Sequence, residues 1–427
     1  MSNPATQTKS TNWTGVSYGI VLGFVAAYFQ FKVPPVLPVL FDLYAYETMV
    51  AGGFMSIFAI SGMLISVRVG RAIQRNGAQQ YLIAAFALML GGTALGLALP
   101  ESSTVMLTSR LIEGFGAAVL PVCMPAFVNM SAGPGHLPIA IAAQATWIPV
   151  GQLVANVVAQ PAVSEDFWQP VWWFGAAATV AVALWTWWIV RRGCVPGVAR
   201  MAATTPPAKG DLTKRRTAAP SGDLLKPIEI RTLWIAAALF FLWQAQFMGY
   251  FTWLPVYLVN VRDFTANDAV QLNQVPVVVL LVFSLIGGMI LKTGVGVIRL
   301  LTFALTLQAL GWAMIPFADN TVVGLTSLVV WGIAAGLTPT SLWALPSTLV
   351  GGHRAGTDAF AVVLTGRYLG ILGGPLIAAG VFDLTGDWVT VAYAFVAIAG
   401  TTIAGTLYLG VRIHSIKGGG VRPAETV

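Results

Sequence analysis

The chain has 427 residues, of which 57% are hydrophobic and only 9% are charged, and its mean hydropathy is +0.77. The core of a water-soluble domain cannot absorb that much apolar surface, so the composition excludes an ordinary soluble protein. The formal net charge of +7 is not accompanied by an aromatic–basic module for nucleic acid, so no nucleic-acid partner is expected.

Apolar windows of about 20 residues recur along the whole sequence, and each is long enough to cross a hydrocarbon layer of about 30 Å as a helix. The sequence therefore predicts an all-α integral membrane protein. Its twelve predicted spans cover residues 15–40, 48–67, 80–99, 104–130, 138–160, 168–190, 232–259, 270–291, 297–317, 322–349, 357–382 and 388–411. The polar N-terminus leads into an overlong apolar stretch without a small-residue cleavage site, so we expect the first span to stay in the membrane.

The charged residues predict an orientation, because basic loops tend to remain on the cytoplasmic side. Alternate loops and the tail carry Arg68, Arg71, Arg75, Arg191, Arg192, Lys292, Arg299, Arg354, Arg412 and Lys417. The opposite loops carry Asp42, Glu47, Glu101, Glu165, Asp166, Asp263, Asp319 and Asp387, with Arg262 as the single basic residue among them. We therefore predict a multi-pass protein of a bacterial inner membrane with both termini in the cytoplasm. The lipid bilayer is its surrounding partner.

A segment rich in Pro, Gly, Ala and basic residues separates the sixth predicted span from the seventh and lacks helical periodicity. We interpret residues 191–231 as a cytoplasmic linker between an N-terminal six-helix bundle, 1–190, and a C-terminal bundle with its tail, 232–427.

The two halves show an internal repeat. "VGRAIQRNG" after the second span and "IGGMILKTG" after the eighth pair Gly70 with Gly287, Arg75 with Lys292 and Gly77 with Gly294, each 217 positions apart. The same offset pairs "LPV" at 37–39 with "LPV" at 254–256. Two pseudo-symmetric bundles around a midplane site are what an alternating-access carrier requires.

Three motifs carry a family resemblance. Gly70, Arg75 and Gly77 fit the loop pattern Gly-x-x-x-Asp-Arg-x-Gly, with Gln74 in place of the aspartate. "RLIEGFGAA" from Arg110 is similar to an Arg-x-x-x-Gly-x-Gly pattern, and "GILGGPLIAAGVFDLTGDW" resembles an eleventh span with its exit turn. In this order the chain resembles the major facilitator superfamily over essentially its whole length. The resemblance implies twelve helices in two six-helix bundles, and a gating motif formed by Gly70, Arg75, Gly77, Lys292 and Gly294.

Sequence signatures of enzymes are missing. The chain has no Walker loop, no paired-cysteine zinc spacing and no His-Glu-x-x-His. We therefore predict no enzymatic activity, no cofactor and no metal.

Four ionisable residues fall inside predicted spans: Lys32, Arg110, Glu113 and Arg367. Because charge is costly in lipid, each is a functional candidate that faces a cavity or a partner. Lys32 could instead snorkel to the outer headgroups, and Arg110 with Glu113 could be an intrahelical i,i+3 pair. Three cations against one acid predict a substrate with a carboxylate or similar anionic group.

The predicted substrate-binding set adds polar and aromatic residues on spans that line the cavity in proteins of this superfamily. It comprises Lys32, Arg110, Arg367, Tyr28, Gln30, Gln244, Tyr250 and Trp343. Glu113 is the predicted proton carrier. Each aromatic residue could instead serve packing or interface anchoring. "TWLPVYL" from Thr252 resembles the seventh span of organic-anion carriers.

Prolines beside Lys32 suggest a mobile element. Pro34, Pro35 and Pro38 interrupt the backbone hydrogen bonding of the first span, and Pro255 does so in the seventh. A bending helix could bring Lys32 to an anion, whereas the alternative is a static kink.

The sequence thus predicts a monomeric secondary transporter that moves a small organic anion by alternating access, coupled to protons. An exporter of hydrophobic or cationic compounds is the alternative within transport; Pro149 and Gly151 only partly match the Gly-Pro motif of such exporters. A non-transporting membrane receptor on a carrier scaffold is the alternative from another class.

Overall fold

The computed structural model describes residues 10–164, 167–195, 198, 227–351 and 357–418. The helices of this part of the chain are α1 (Trp13–Phe31), α2 (Leu37–Tyr44), α3 (Thr48–Asn76), α4 (Gln79–Ala98), α5 (Ser103–Ala117), α6 (Leu120–Ser131), α7 (Leu137–Ala145), α8 (Trp147–Ser164), α9 (Gln169–Arg192), α10 (Pro227–Asn260), α11 (Ala266–Lys292), α12 (Val297–Met314), α13 (Thr321–Val350), α14 (Thr357–Thr385) and α15 (Trp388–Gly418), with two short 3₁₀ turns at Pro34–Val36 and Ile315–Phe317.

The helices confirm the predicted number of membrane spans and the all-α fold. Over the described residues, eleven helical segments are long and apolar enough to cross a membrane, and α7 with α8, bent by 46°, makes a twelfth. Two helices run well past the predicted span ends, α3 to Asn76 and α15 to Gly418. A helix can continue beyond the lipid where its exposed residues are charged, as with Arg71 and Arg75 on α3.

The prolines of the first span break it, as predicted. The α1 helix stops at Phe31, Lys32 is its C-cap residue, and Pro34–Val36 forms a 3₁₀ turn before α2 starts. By contrast, α10 continues through Pro255 to Asn260, so the hydrogen bond that Pro255 cannot donate does not end this helix. Two adjacent prolines remove consecutive amide donors, whereas one proline removes a single hydrogen bond that the flanking turns can tolerate.

Two glycines that the sequence repeat pairs have matching backbone roles. Gly77 follows α3 with φ of 80°, and Gly294 follows α11 with φ of 90°. Glycine adopts this region of positive φ without steric cost, so glycine suits the turn after both helices. Arg75 and Lys292 are exposed, and neither forms an ion pair within the described chain. The side chain of Gln74 lies outside the described residues.

The chain divides into two compact units. Unit one is Met1–Thr204 together with Phe251–Val277, and unit two is Thr205–Tyr250 together with Val278–Val427. Within these ranges the structure describes the residues given above. Within unit one, Phe41 stacks on Trp253 at 6.2 Å between ring centroids, and Asn273 Nδ2 donates to Asn156 Oδ1 at 3.1 Å. These contacts lie in the C-terminal part of α10 and the N-terminal part of α11, which belong to unit one. The division into two six-helix halves at 1–190 and 232–427 stays a prediction.

Each unit has its own apolar core. In unit one, α1, α6 and α7 bury Val16, Met124, Val128, Ala132 and Ala140 together. In unit two, Leu300 and Ala304 of α12 pack with Leu337 of α13. Many other apolar residues along the spans are buried as well.

Candidate functional site

The α5 helix brings two of the predicted ionisable residues onto one face. It begins after Ser102, whose side chain accepts a hydrogen bond from the Val105 amide. Arg110 and Glu113 are three positions apart and therefore adjacent on the helix surface. Arg110 Nη1 lies 2.5 Å from Glu113 Oε2, and both side chains are fully buried. The intrahelical pair considered from the sequence is therefore present.

Arg110 also holds two other helices. Its Nη2 donates to the carbonyl of Phe29 at 2.9 Å, and its Nε donates to the carbonyl of Phe54 at 3.2 Å. Phe29 supplies one of the last four carbonyls of α1, which lack helical partners. The guanidinium thus joins α1, α3 and α5 with good hydrogen-bond geometry and is firmly anchored.

Lys32 does not snorkel, which excludes that interpretation for this conformation. Its side chain is fully buried, and Nζ donates to Glu113 Oε1 at 2.6 Å. The ammonium also lies 4.5 Å from the ring centroid of Phe29 and 4.4 Å from that of Trp172. Aromatic faces attract a cation, and more strongly where water is excluded. In the described residues Glu113 is the one hydrogen-bond acceptor that Lys32 has.

Glu113 receives a third donor that the sequence did not reveal. Thr93 of α4 donates through Oγ1 to Glu113 Oε1 at 2.7 Å and is buried. A neutral threonine in an apolar span carries no charge signal, and only the packing of α4 on α5 identifies it. We call Lys32, Arg110 and Glu113 the Lys32–Arg110–Glu113 cluster. It contains two cations and one carboxylate.

Trp172 is a second residue that sequence reasoning missed. It is fully buried, and its indole Nε1 has no hydrogen-bond partner among the described residues. An unpaired buried donor is costly, so such groups call for a physical explanation. Here the donor belongs to the same ring that faces the Lys32 ammonium. A buried donor and a buried cation therefore lie side by side.

Glycines allow α4 and α5 to approach closely beside the cluster. A Cβ atom at Gly92 would lie 2.7 Å from Glu113 Cγ and 2.8 Å from the Ser109 carbonyl oxygen, whereas one at Gly91 would meet nothing within 4 Å. Small residues at such crossings let membrane helices pack backbone to backbone.

Gly92→Ala is expected to destabilise the protein by about 1 to 3 kcal/mol, since the added methyl group forces α4 away from Glu113. Gly91→Ala is the matched control and should be neutral or slightly stabilising, because alanine favours helices more than glycine does. Thermal unfolding of both variants in the same detergent would measure this. Equal midpoints would contradict the close approach.

Two further predicted residues of unit one are buried in helix packing. The Tyr28 hydroxyl donates to the Val171 carbonyl at 2.6 Å, and its ring lies 5.1 Å from that of Phe174. Gln30 is 8% exposed. Tyr28 is thus occupied by a structural hydrogen bond to α9.

The predicted residues of unit two have different surroundings. Tyr250 is buried and stacks on Trp331 with 3.8 Å between ring centroids, and Gln244 is 5% exposed. Trp343 is 40% exposed and meets Phe240 edge to face. These contacts make Tyr250 part of an aromatic core, whereas Trp343 presents an accessible ring.

Arg367 is half-buried on α14 and has no carboxylate partner within the described chain. Its guanidinium carbon lies 5.5 Å from the Tyr368 ring centroid. The neighbouring glycines face α10. A Cβ at Gly366 would overlap the Ala237 carbonyl, and one at Gly370 would lie 2.6 Å from Gln244 Cβ. They permit the close contact of α14 with α10.

Comparison with known proteins establishes the family. A family model described as Major Facilitator Superfamily matches residues 19–375. The chain belongs to the major facilitator superfamily. It is a multi-pass membrane transporter with the fold of that superfamily, as the resemblance implied. No curated protein matches it significantly.

Solved structures of superfamily transporters share the fold. The crystal structure of the nucleoside transporter NupG has a TM-score of 0.70 and 15% identity, covering 93% of this chain and 99% of its own. The crystal structure of a D-xylose-proton symporter also has a TM-score of 0.70 and 15% identity. The match covers 94% of this chain and 97% of the symporter chain. At this identity the likeness concerns the fold alone.

Proposed function

We propose that this transporter is a proton-coupled symporter of a small organic anion that works by alternating access. The observation that carries the proposal is the Lys32–Arg110–Glu113 cluster, in which a single carboxylate neutralises two fully buried cations only in part. A buried excess of positive charge is expensive unless an anion compensates it at some stage of the transport cycle.

The geometry gives Glu113 and the substrate competing roles. While Glu113 is ionised, its two oxygens accept from Lys32 and Arg110 and occupy the donors that a substrate carboxylate would need. Protonation of Glu113 removes that negative charge and leaves two uncompensated cations. An incoming carboxylate can then replace Glu113 as the partner of Lys32, so proton and anion are taken up together.

Lys32 is the cation that can change partners. Arg110 is fixed by two backbone carbonyls, whereas Lys32 has one acceptor and stands beside the break between α1 and α2. The rings of Phe29 and Trp172 support the ammonium when Glu113 is neutral, and the free Trp172 N–H suits a carboxylate oxygen. Because Lys32 is fully buried here, an anion reaches it only after the surrounding helices separate, as alternating access provides.

The remaining assignments complete the proposal. Arg367 is the principal anion ligand of unit two, and Tyr28, Gln30, Gln244, Tyr250 and Trp343 shape the substrate environment. The loop residues Gly70, Arg75, Gly77, Lys292 and Gly294 form the gating motif. The protein acts as a monomer in a bacterial inner membrane with cytoplasmic termini.

Uptake into proteoliposomes tests the function. Labelled small carboxylates and lipophilic cations are supplied one at a time, with and without an imposed pH gradient. We expect accumulation of at least one carboxylate that depends on the gradient. Accumulation of the cations alone would favour a drug exporter, and binding without flux would favour a receptor.

Substitution of Arg367 tests the cation that lies outside the Lys32–Arg110–Glu113 cluster. Arg367→Lys keeps the charge but loses the forked donor pair, and we expect it to weaken substrate binding by about 1 to 3 kcal/mol. Arg367→Gln should weaken binding further. Affinity is measured on purified, folded protein, with Arg299→Gln as the control at an exposed arginine of α12. Unchanged affinity in both Arg367 variants would remove Arg367 from the site.

A further inference from the structure

Two aromatic–arginine stacks lie side by side at the C-terminal end of α9. The Arg191 guanidinium carbon is 3.9 Å from the Trp187 ring centroid, and that of Arg192 is 5.4 Å from the Trp188 centroid. Trp187 is 54% exposed and Trp188 is 39% exposed, and both arginines are exposed as well. Exposed tryptophan rings near the end of a membrane span are typical of the membrane–water interface.

The length of α9 places these stacks at the membrane boundary. Its 24 residues make a helix of about 36 Å, which exceeds a hydrocarbon layer of about 30 Å. Gly193 then ends the helix in the left-handed conformation, and Asn12 Nδ2 holds the next carbonyl, that of Cys194, at 2.5 Å. A span of this length brings its last turn to the headgroup region, and the hydrogen bond from Asn12 ties the residues after that turn to the start of α1.

A comparable pair occurs on α15, the last span of the other predicted half. Arg412 lies 5.4 Å from the Tyr408 ring centroid, but its Nε also donates to the Tyr408 hydroxyl at 2.8 Å. Tryptophan offers no such acceptor. Arg191 and Arg192 make no hydrogen bond through their side chains in the described structure, so their donors stay available.

We propose that Arg191 and Arg192 bind the phosphate of an anionic phospholipid, with Trp187 and Trp188 packed against its glycerol and upper acyl chains. A guanidinium stacked on a ring is pre-oriented and still presents two parallel donors to phosphate oxygens. Anionic lipid attracts basic residues at the membrane surface. Two adjacent stacks on neighbouring helix positions supply four such donors to a single headgroup region.

Native mass spectrometry of the full-length protein tests the site. The protein is incubated with phosphatidylglycerol and phosphatidylcholine that carry identical acyl chains. We expect preferential retention of phosphatidylglycerol, and a loss of about 30-fold in that preference in the double variant R191Q/R192Q. Arg299→Gln removes an exposed arginine elsewhere and should leave the preference unchanged.

Two further arms separate the alternatives. W187L/W188L keeps the charges but removes the rings, and a several-fold loss of phosphatidylglycerol is expected; retention equal to the parent would overturn the role of the stacks. Inorganic phosphate at millimolar concentration should not displace the lipid. Displacement by phosphate, or equal retention in R191Q/R192Q, would overturn the lipid assignment.

Discussion

Glu113→Gln is expected to abolish accumulation of the anion driven by a pH gradient, down to the level of empty liposomes. Glutamine cannot take up or release the proton, and it cannot neutralise Lys32 and Arg110. Exchange of labelled for unlabelled substrate at equal pH requires no net proton movement, so it should persist. Uptake and exchange are measured on the same proteoliposomes.

The same substitution should also lower stability. Removing one partner of a buried ion pair leaves uncompensated charge and costs about 3 to 5 kcal/mol. Size-exclusion chromatography therefore accompanies the assay, so that only folded protein is compared. Glu101→Gln changes an exposed glutamate before α5 and should behave like the parent. Gradient-driven accumulation by folded Glu113→Gln would show that another group carries the proton.

Lys32→Met is expected to keep nearly normal stability and to lose transport by 10- to 100-fold, about what a charge-assisted hydrogen bond contributes. Methionine has a similar length and fits between apolar rings, and Glu113 keeps Arg110 as its partner. The net charge of the cluster falls from +1 to zero, because one of its two cations is removed. The free energy of unfolding should stay within about 2 kcal/mol of the parent.

Stability and transport measured together make this substitution informative. A purely structural Lys32 would lower stability and leave the transport of the surviving folded protein intact. If Lys32→Met transported the anion at the rate of the parent protein, the role of Lys32 as the exchangeable cation would be contradicted. A loss of transport in stable protein is the expected result.

The sequence predicted the fold because membrane spans depend on local composition. A window of about 20 apolar residues is recognisable without knowing what it packs against. Gly77 and Gly294 were also predictable as a repeat, since both end a helix in a conformation that favours glycine. The ends of α3 and α15 were predicted too early because hydropathy marks the edge of the lipid, whereas hydrogen bonding determines the end of the helix.

The site was predictable only where residues lie close in sequence. Arg110 and Glu113 share a helix face, and their spacing alone indicated the pair. Lys32 joins Glu113 across 81 positions, and which face of α1 meets α5 follows from the packing of entire spans. Thr93 and Trp172 give no charge signal. Tyr28, which the sequence predicted as a substrate-binding residue, donates its hydroxyl hydrogen bond to Val171 of α9.

The central claim, that one proton enters with the anion through Glu113, is tested most directly by substrate-induced proton movement. Proteoliposomes in weakly buffered medium without an imposed gradient receive small carboxylates one at a time, while an external pH electrode records the medium. For a transported carboxylate, we expect alkalinisation of the medium with the parent protein and none with Glu113→Gln. Carboxylate uptake by the parent without alkalinisation, or alkalinisation that persists in Glu113→Gln, would contradict the account.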